Sequence, residues 1–115
     1  MIYIASPYNH EDPAQVKLNY ILVTKYVAEL VSQGITAISP ITYGHTLLEY
    51  KEMPSDWVFW NKFCLSLLIK CDEIWVYKMP GWIWSSGVSD EIEFAKNNNI
   101  PIKFIEYETT SRTTP

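Results

Sequence analysis

The sequence predicts an α/β fold, a small flavodoxin-like or Rossmann-like three-layer sandwich with a parallel sheet of four to five strands. Three observations carry this expectation. Short apolar segments rich in β-branched and aromatic residues (MIYIAS, ITAISP, EIWVYK, PIKFIE) alternate with longer stretches in which apolar residues recur every three or four positions. The short segments are apolar nearly throughout, as strands covered on both faces are. A chain of 115 residues is long enough to bury one core and too short for two.

The first strand is MIYIAS, which Pro7 stops. From Asp12 or Pro13 the pattern turns helical, with Val16, Tyr20, Val23, Val27 and Leu30 on one face, until Gly34 ends it. ITAISP, residues 35 to 40, repeats the short strand followed by proline. The TYGHTLLEYKEMP stretch has mixed signals and reads as loop with one helical turn at most. Pro54 and Ser55 open a second helical pattern carrying Val58, Phe59, Phe63, Leu67 and Leu68. EIWVYK is the third strand, and KMPGWIWSSG is a loop rich in Pro, Gly and Trp. A last helix spans about 86 to 98 and ends at Asn97 to Asn99; PIKFIE is the fourth strand. The domain is expected to cover residues 1 to 106, and 107 to 115 to be a polar tail.

Composition excludes several classes of function. A net charge of −4 without any Lys/Arg cluster argues against a nucleic-acid polymer as partner, because such binding neutralises many phosphates. No apolar run approaches the roughly 20 residues needed to span a bilayer, and the N-terminus lacks signal-peptide features, so a cytoplasmic protein away from membranes is expected. Cys64 and Cys71, seven apart on a predicted helix, are separated by roughly 10 Å of axial rise, too far for a disulfide. With only His10 and His45 beside them, no metal site is expected, and no cofactor.

In doubly wound sheets, ligands bind beyond the carboxyl ends of the strands. Here those ends carry Ser6, Pro7 and Tyr8, then Ser39-Pro40, then the loop from Trp82 to Gly87. Ser85, Ser86 and Gly87 fall at a helix start, whose unpaired N–H groups suit an anion, although a serine there is equally an ordinary N-cap. Glu91 reads either as a first-turn acid favoured by the helix dipole or as a functional carboxylate. At helical spacing it shares a face with Gly87, Val88 and Ala95, where a carboxylate is costly without a task. Trp82 and Trp84 lie in the loop bordering the expected crevice and suit either a stacked base or a subunit interface. His45 is a loop histidine, a candidate ligand contact or simply exposed.

Two segments resemble the nucleoside 2-deoxyribosyltransferase-like superfamily, which includes deoxyribosyltransferases and deoxynucleoside 5′-monophosphate N-glycosidases. One is Ile2-Tyr3-Ile4-Ala5-Ser6-Pro7-Tyr8, similar to the family's opening strand and its turn, with Ser6 where Gly is frequent. The other runs from Cys71-Asp72 through Ser85, Gly87 and Glu91 to Ala95. The similarity spans about residues 1 to 105 and implies a small divergent member. It implies Glu91 as nucleophile, with Ser6, Pro7, Tyr8, His45, Trp82, Ser85, Ser86, Gly87 and Ser89 about the substrate. Ser85, six residues before Glu91, matches the phosphate-binding serine of the monophosphate hydrolases, which points to a nucleotide over a free nucleoside. Cys64 departs from the family's pattern, where many members carry Asp; Asn61 and Asp56 are candidate substitutes.

The expected function is therefore an N-glycosidase or a ribosyl or deoxyribosyl transferase. It would act on a nucleotide or nucleoside through a glycosyl ester on Glu91. The alternative is a catalytically inactive nucleotide-binding or sequestering protein, for example a phage protein binding a nucleotide signal. A homodimer or higher homo-oligomer is expected, because one small domain has little interior for five tryptophans and the resemblance implies an assembly.

Overall fold

Strand β1 (Ile2–Ala5) occupies the middle of a four-stranded, all-parallel sheet of order β2-β1-β3-β4, in which β2 is Ala37–Ile38, β3 Glu73–Lys78 and β4 Ile102–Glu106. The computed structural model describes residues 1–108; from residue 109 on, the expected tail lies outside the described residues. Strand alternation divides the apolar residues between two faces. Tyr3, Ala5, Ile74 and Val76 face one way, and Ile4 and Tyr77 the other. Registers of Tyr3 with Ile74 and of Ala5 with Val76 keep each set aligned across the ladder.

Helix α1 (Pro13–Ser32) lays Val23 and Leu30 over the Ile4 face, capped by Asp12 and followed by Gly34 at φ +87°. Helices α3 (Trp57–Leu68) and α4 (Ser86–Asn97) bury Cys64, Leu68, Val88 and Ala95 against the Tyr3 face. The result is the three-layer α/β sandwich that the sequence predicts, with four strands. Because β2 lies on one side of β1 and β3 on the other, strand order reverses at β1/β3, where a crevice opens.

The segment expected to be mostly loop forms a nine-residue helix, α2 (Pro40–Leu48), packed beside α1. Its start is well specified: Ser39 accepts from the N–H groups of Ile41 and Thr42, and Pro40 takes the first turn, where no N–H is needed. This capping also shortens β2 to two residues. Helix α3 begins two to three residues later than expected, capped by Asp56, and buries a different face. Val58, Phe59 and Phe63 are exposed, while Trp57, Trp60, Cys64 and Leu68 turn inward. Cys71 lies beyond the end of this helix, and both cysteines are buried free thiols.

Candidate functional site

A cavity of about 160 Å³ opens where the crevice begins, and its walls come from every layer of the fold. Ser6 and Tyr8 lie in the segment that follows β1, and both line the cavity. Pro7, between them, points elsewhere and is buried in the body of the protein, which removes it from the expected contact set. Helix α2 contributes Gly44 and His45, α3 contributes Trp57, Trp60 and Cys64, and the start of α4 contributes Ser85 to Gly87 and Glu91.

Glu91 is the sixth residue of α4, in its second turn, beyond the reach of the first-turn dipole. It is 4% exposed, and the Tyr3 hydroxyl donates to its Oε2. Burial pushes the carboxyl from the ordinary 4.5 up to about 8; the Tyr3 hydrogen bond opposes this, and neighbouring Asp90 adds to it. Near neutral pH the group therefore holds a proton for much of the time. Burial also pushes the Cys64 thiol up to about 12, with the charge of Glu91 adding, so it is a thiol and not a nucleophilic thiolate.

The helix start offers a second set of groups. Ser85 Oγ accepts from the Val88 N–H at 3.2 Å, an N-cap that still leaves the hydroxyl hydrogen free to donate. Ser6 is 5% exposed, and its Oγ has no hydrogen-bond partner. Without a protein partner, this hydroxyl is left to bond whatever fills the cavity, water or ligand, since leaving it unsatisfied costs about 1–3 kcal/mol. Among the described residues, no Lys or Arg lines the cavity.

Two tryptophans one turn apart on α3 make the apolar wall, and each lies on a glycine. A Cβ on Gly87 would come within 3.3 Å of Trp57, and one on Gly44 within 3.4 Å of Trp60. Both indole nitrogens are satisfied, Trp57 Nε1 donating to Asp90 at 2.6 Å and Trp60 Nε1 to the Pro54 carbonyl at 2.9 Å.

Several expected contacts move. Trp82, within a single 3₁₀ turn (Trp82–Trp84), packs on Phe104 and the core and does not line the cavity, whereas Trp84 does. In that turn successive side chains diverge by about 120°, so one tryptophan turns in and the other out. Ser89 is exposed and lies away from the cavity, because two residues on from Gly87 is about 200° around the helix. His45 stands on α2, not in a loop, with its side chain 16% exposed. Of the two candidates to replace the Asp that many members of the resembled family carry, Asp56 lines the cavity; Asn61 does not and donates to the Val58 carbonyl.

Sequence reasoning missed Tyr3, Trp57 and Trp60. Tyr3 carried a usable signal, because a tyrosine inside a strand covered on both faces must find a partner for its hydroxyl. The tryptophans carried none beyond their abundance.

No curated protein matches this sequence. A family model described as a domain of unknown function, DUF1937, matches residues 1–107, from β1 through β4 and every wall of the cavity, and the chain belongs to that family.

Proposed function

We propose that this protein cleaves the N-glycosidic bond of a nucleotide-like small molecule, with Glu91 as nucleophile, in the manner of the nucleoside 2-deoxyribosyltransferase-like enzymes that its motifs resemble. The supporting observation is the buried Glu91 carboxyl, on the cavity wall and held by the Tyr3 hydroxyl. A carboxylate placed there attacks the anomeric carbon, forms a glycosyl ester and releases the base; water or a second base then takes the sugar. The oxocarbenium-like transition state brings positive charge beside Glu91, which favours its ionised form at the moment of reaction. Trp57, Trp60 and Trp84 give the base an aromatic surface, and Ser6 with the α4 start gives hydrogen-bond donors to the sugar or its 5′-phosphate.

A second reading, a nucleotide-binding or sequestering protein, draws on Cys64 standing in the cavity where many members of the resembled family carry Asp, and on the upward shift of the Glu91 carboxyl, which disfavours the nucleophilic carboxylate. One experiment separates the two. The protein is incubated with nucleosides, mononucleotides of both sugar types and dinucleotides, and the mixture is chromatographed. Free base supports the glycosidase reading; ligand recovered unchanged and bound to protein supports sequestration; neither result refutes both. A cytoplasmic site of action belongs to the same proposal. Among the described residues, no helix is long and apolar enough to cross a membrane.

A further inference from the structure

The cavity holds a second polar cluster, away from Glu91 in sequence and built on other elements. The Tyr8 hydroxyl lies 2.8 Å from His45 Nδ1, and His45 Nε2 lies 4.0 Å from Oε2 of Glu49, the residue that caps the end of α2. The imidazole is stacked on Tyr20 of α1, with centroids 4.0 Å apart and planes 21° from parallel. Behind Tyr8, the Asn19 amide donates to its carbonyl at 3.1 Å, and Gln15 in turn donates to Asn19 at 2.9 Å. Both partners of the Tyr8–His45 bond are thus fixed from α1.

We propose that Tyr8, His45 and Glu49 form a proton relay that protonates the base leaving from the Glu91 reaction. The relay rests on the glycosidase reading. A nucleobase leaves poorly as an anion, so a donor is needed in the cavity, and general-acid help of this kind contributes about 10² to 10⁴ in rate. The other lining groups do not suit the task. Tyr3's hydroxyl, outside the cavity lining, is committed to Glu91, the Cys64 thiol has no imidazole behind it, and Asp56 is exposed and caps α3; burial raises the Tyr8 phenol too, so it donates only because His45 stands behind it. Among the described residues, no Lys or Arg is present there. Tyr8 is the lining hydroxyl backed by an imidazole, the side chain that gains and loses protons most readily near neutral pH.

The step balances. The step starts once Glu91 has lost its resting proton to solvent and reacts as carboxylate; His45 takes part with both ring nitrogens protonated, Nδ1–H donating to Tyr8 Oη and the Tyr8 O–H turned to the base. As a Glu91 oxygen bonds to the anomeric carbon, the electron pair of the C–N bond goes to the base nitrogen. That nitrogen takes the Tyr8 proton, and Tyr8 takes the proton from Nδ1. His45 is left neutral with Nε2–H toward Glu49. When water cleaves the ester, its proton returns by the same path and Glu91 leaves as carboxylate. Tyr8 is the catalytic residue here; His45 and Glu49 act through it as positioning residues.

The test compares guanosine 5′-monophosphate with its 7-methyl derivative, and their 2′-deoxy counterparts, at pH 6. The methylated base carries a positive charge and leaves as a neutral molecule without a proton. Wild type, Tyr8→Phe, His45→Gln and Glu91→Gln are assayed, with folding checked by circular dichroism. The relay requires Tyr8→Phe and His45→Gln to lower kcat on the unmethylated nucleotide by about 100-fold or more. Their loss on the methylated one is at least tenfold smaller, and KM shifts little in either case. Equal losses on both members of a pair overturn the relay and leave the glycosidase reading standing, provided that Glu91→Gln abolishes both. No base release by wild type from either pair, or full activity in Glu91→Gln, overturns that reading and the relay with it.

Discussion

Alanine at position 6 separates a ligand-binding hydroxyl from a structural one. Ser6 Oγ is buried without a partner, so its removal relieves an unsatisfied polar group. We expect Ser6→Ala to leave stability unchanged or to raise it by up to about 1 kcal/mol, while ligand affinity falls, as urea unfolding and calorimetry would show. A loss of stability would mean that the hydroxyl serves the fold. Glu91 yields a prediction in the pH dimension. Its carboxyl, raised from 4.5 to about 8, holds a proton more tightly folded than unfolded. The stability it contributes is fully present below about 4.5 and is lost as pH rises through about 8, by a few kcal/mol in total. Glu91→Gln should abolish turnover, flatten that slope and be more stable than wild type at pH 9. Urea midpoints at pH 5, 7 and 9 test this, and an unchanged slope would remove Glu91 as its source. At this scale Glu91 was visible in the sequence, because a carboxylate among Gly87, Val88 and Ala95 contradicts the helix's apolar face. Its partner Tyr3 was hidden because the contact joins positions 88 residues apart.

The start of α4 combines a cap, a cavity wall and a tryptophan seat within three residues. We expect Ser85→Ala to cost about 1 kcal/mol through the lost Val88 cap. It should also weaken a 5′-phosphorylated ligand more than the unphosphorylated one, because the hydroxyl hydrogen left free by the cap is lost with it. Equal losses for the two ligands in calorimetry would reduce Ser85 to a cap alone. Element by element, sequence legibility followed capping chemistry. Asp12-Pro13 and Gly34 mark α1 because cap, proline and positive-φ glycine agree with the apolar period. In α2 they disagree: Ile41, Thr42, Gly44 and Thr46 are weak helix formers, and only Ser39-Pro40 announces a start. What stabilises α2 is tertiary, the Trp60 ring lying over Gly44, and no local window contains both residues. Helix α3 failed differently. It is apolar around most of its circumference, so periodicity could not choose between the Val58-Phe59-Phe63 side and the Trp57-Trp60-Cys64 side.

On the scale of the whole molecule, the alternation of strands and helices implied a parallel sheet, but the order β2-β1-β3-β4, and with it the walls of the crevice, follows only from packing. The exposed side of α3 motivates a proposal about assembly. On α3, Val58 is 82% exposed and Phe59 half exposed, and Tyr43 of α2 and Trp84 of the 3₁₀ turn are exposed as well, apolar side chains that a single copy leaves in water. We expect light scattering to give at least twice the 13.4 kDa of one chain, and Val58→Asp to lower that mass with the circular dichroism spectrum unchanged. A 13.4 kDa species for wild type at micromolar concentration would refute it. The placement of Trp57, Trp60 and Trp84 has an optical consequence. Three of the five indoles border the same 160 Å³ space, so their emission is bound to the occupancy of that space. A nucleobase stacked on them would quench most of the intrinsic fluorescence without any label. Trp75, over which the Lys103 ammonium lies, and Trp82, against Phe104, would continue to emit as an internal standard.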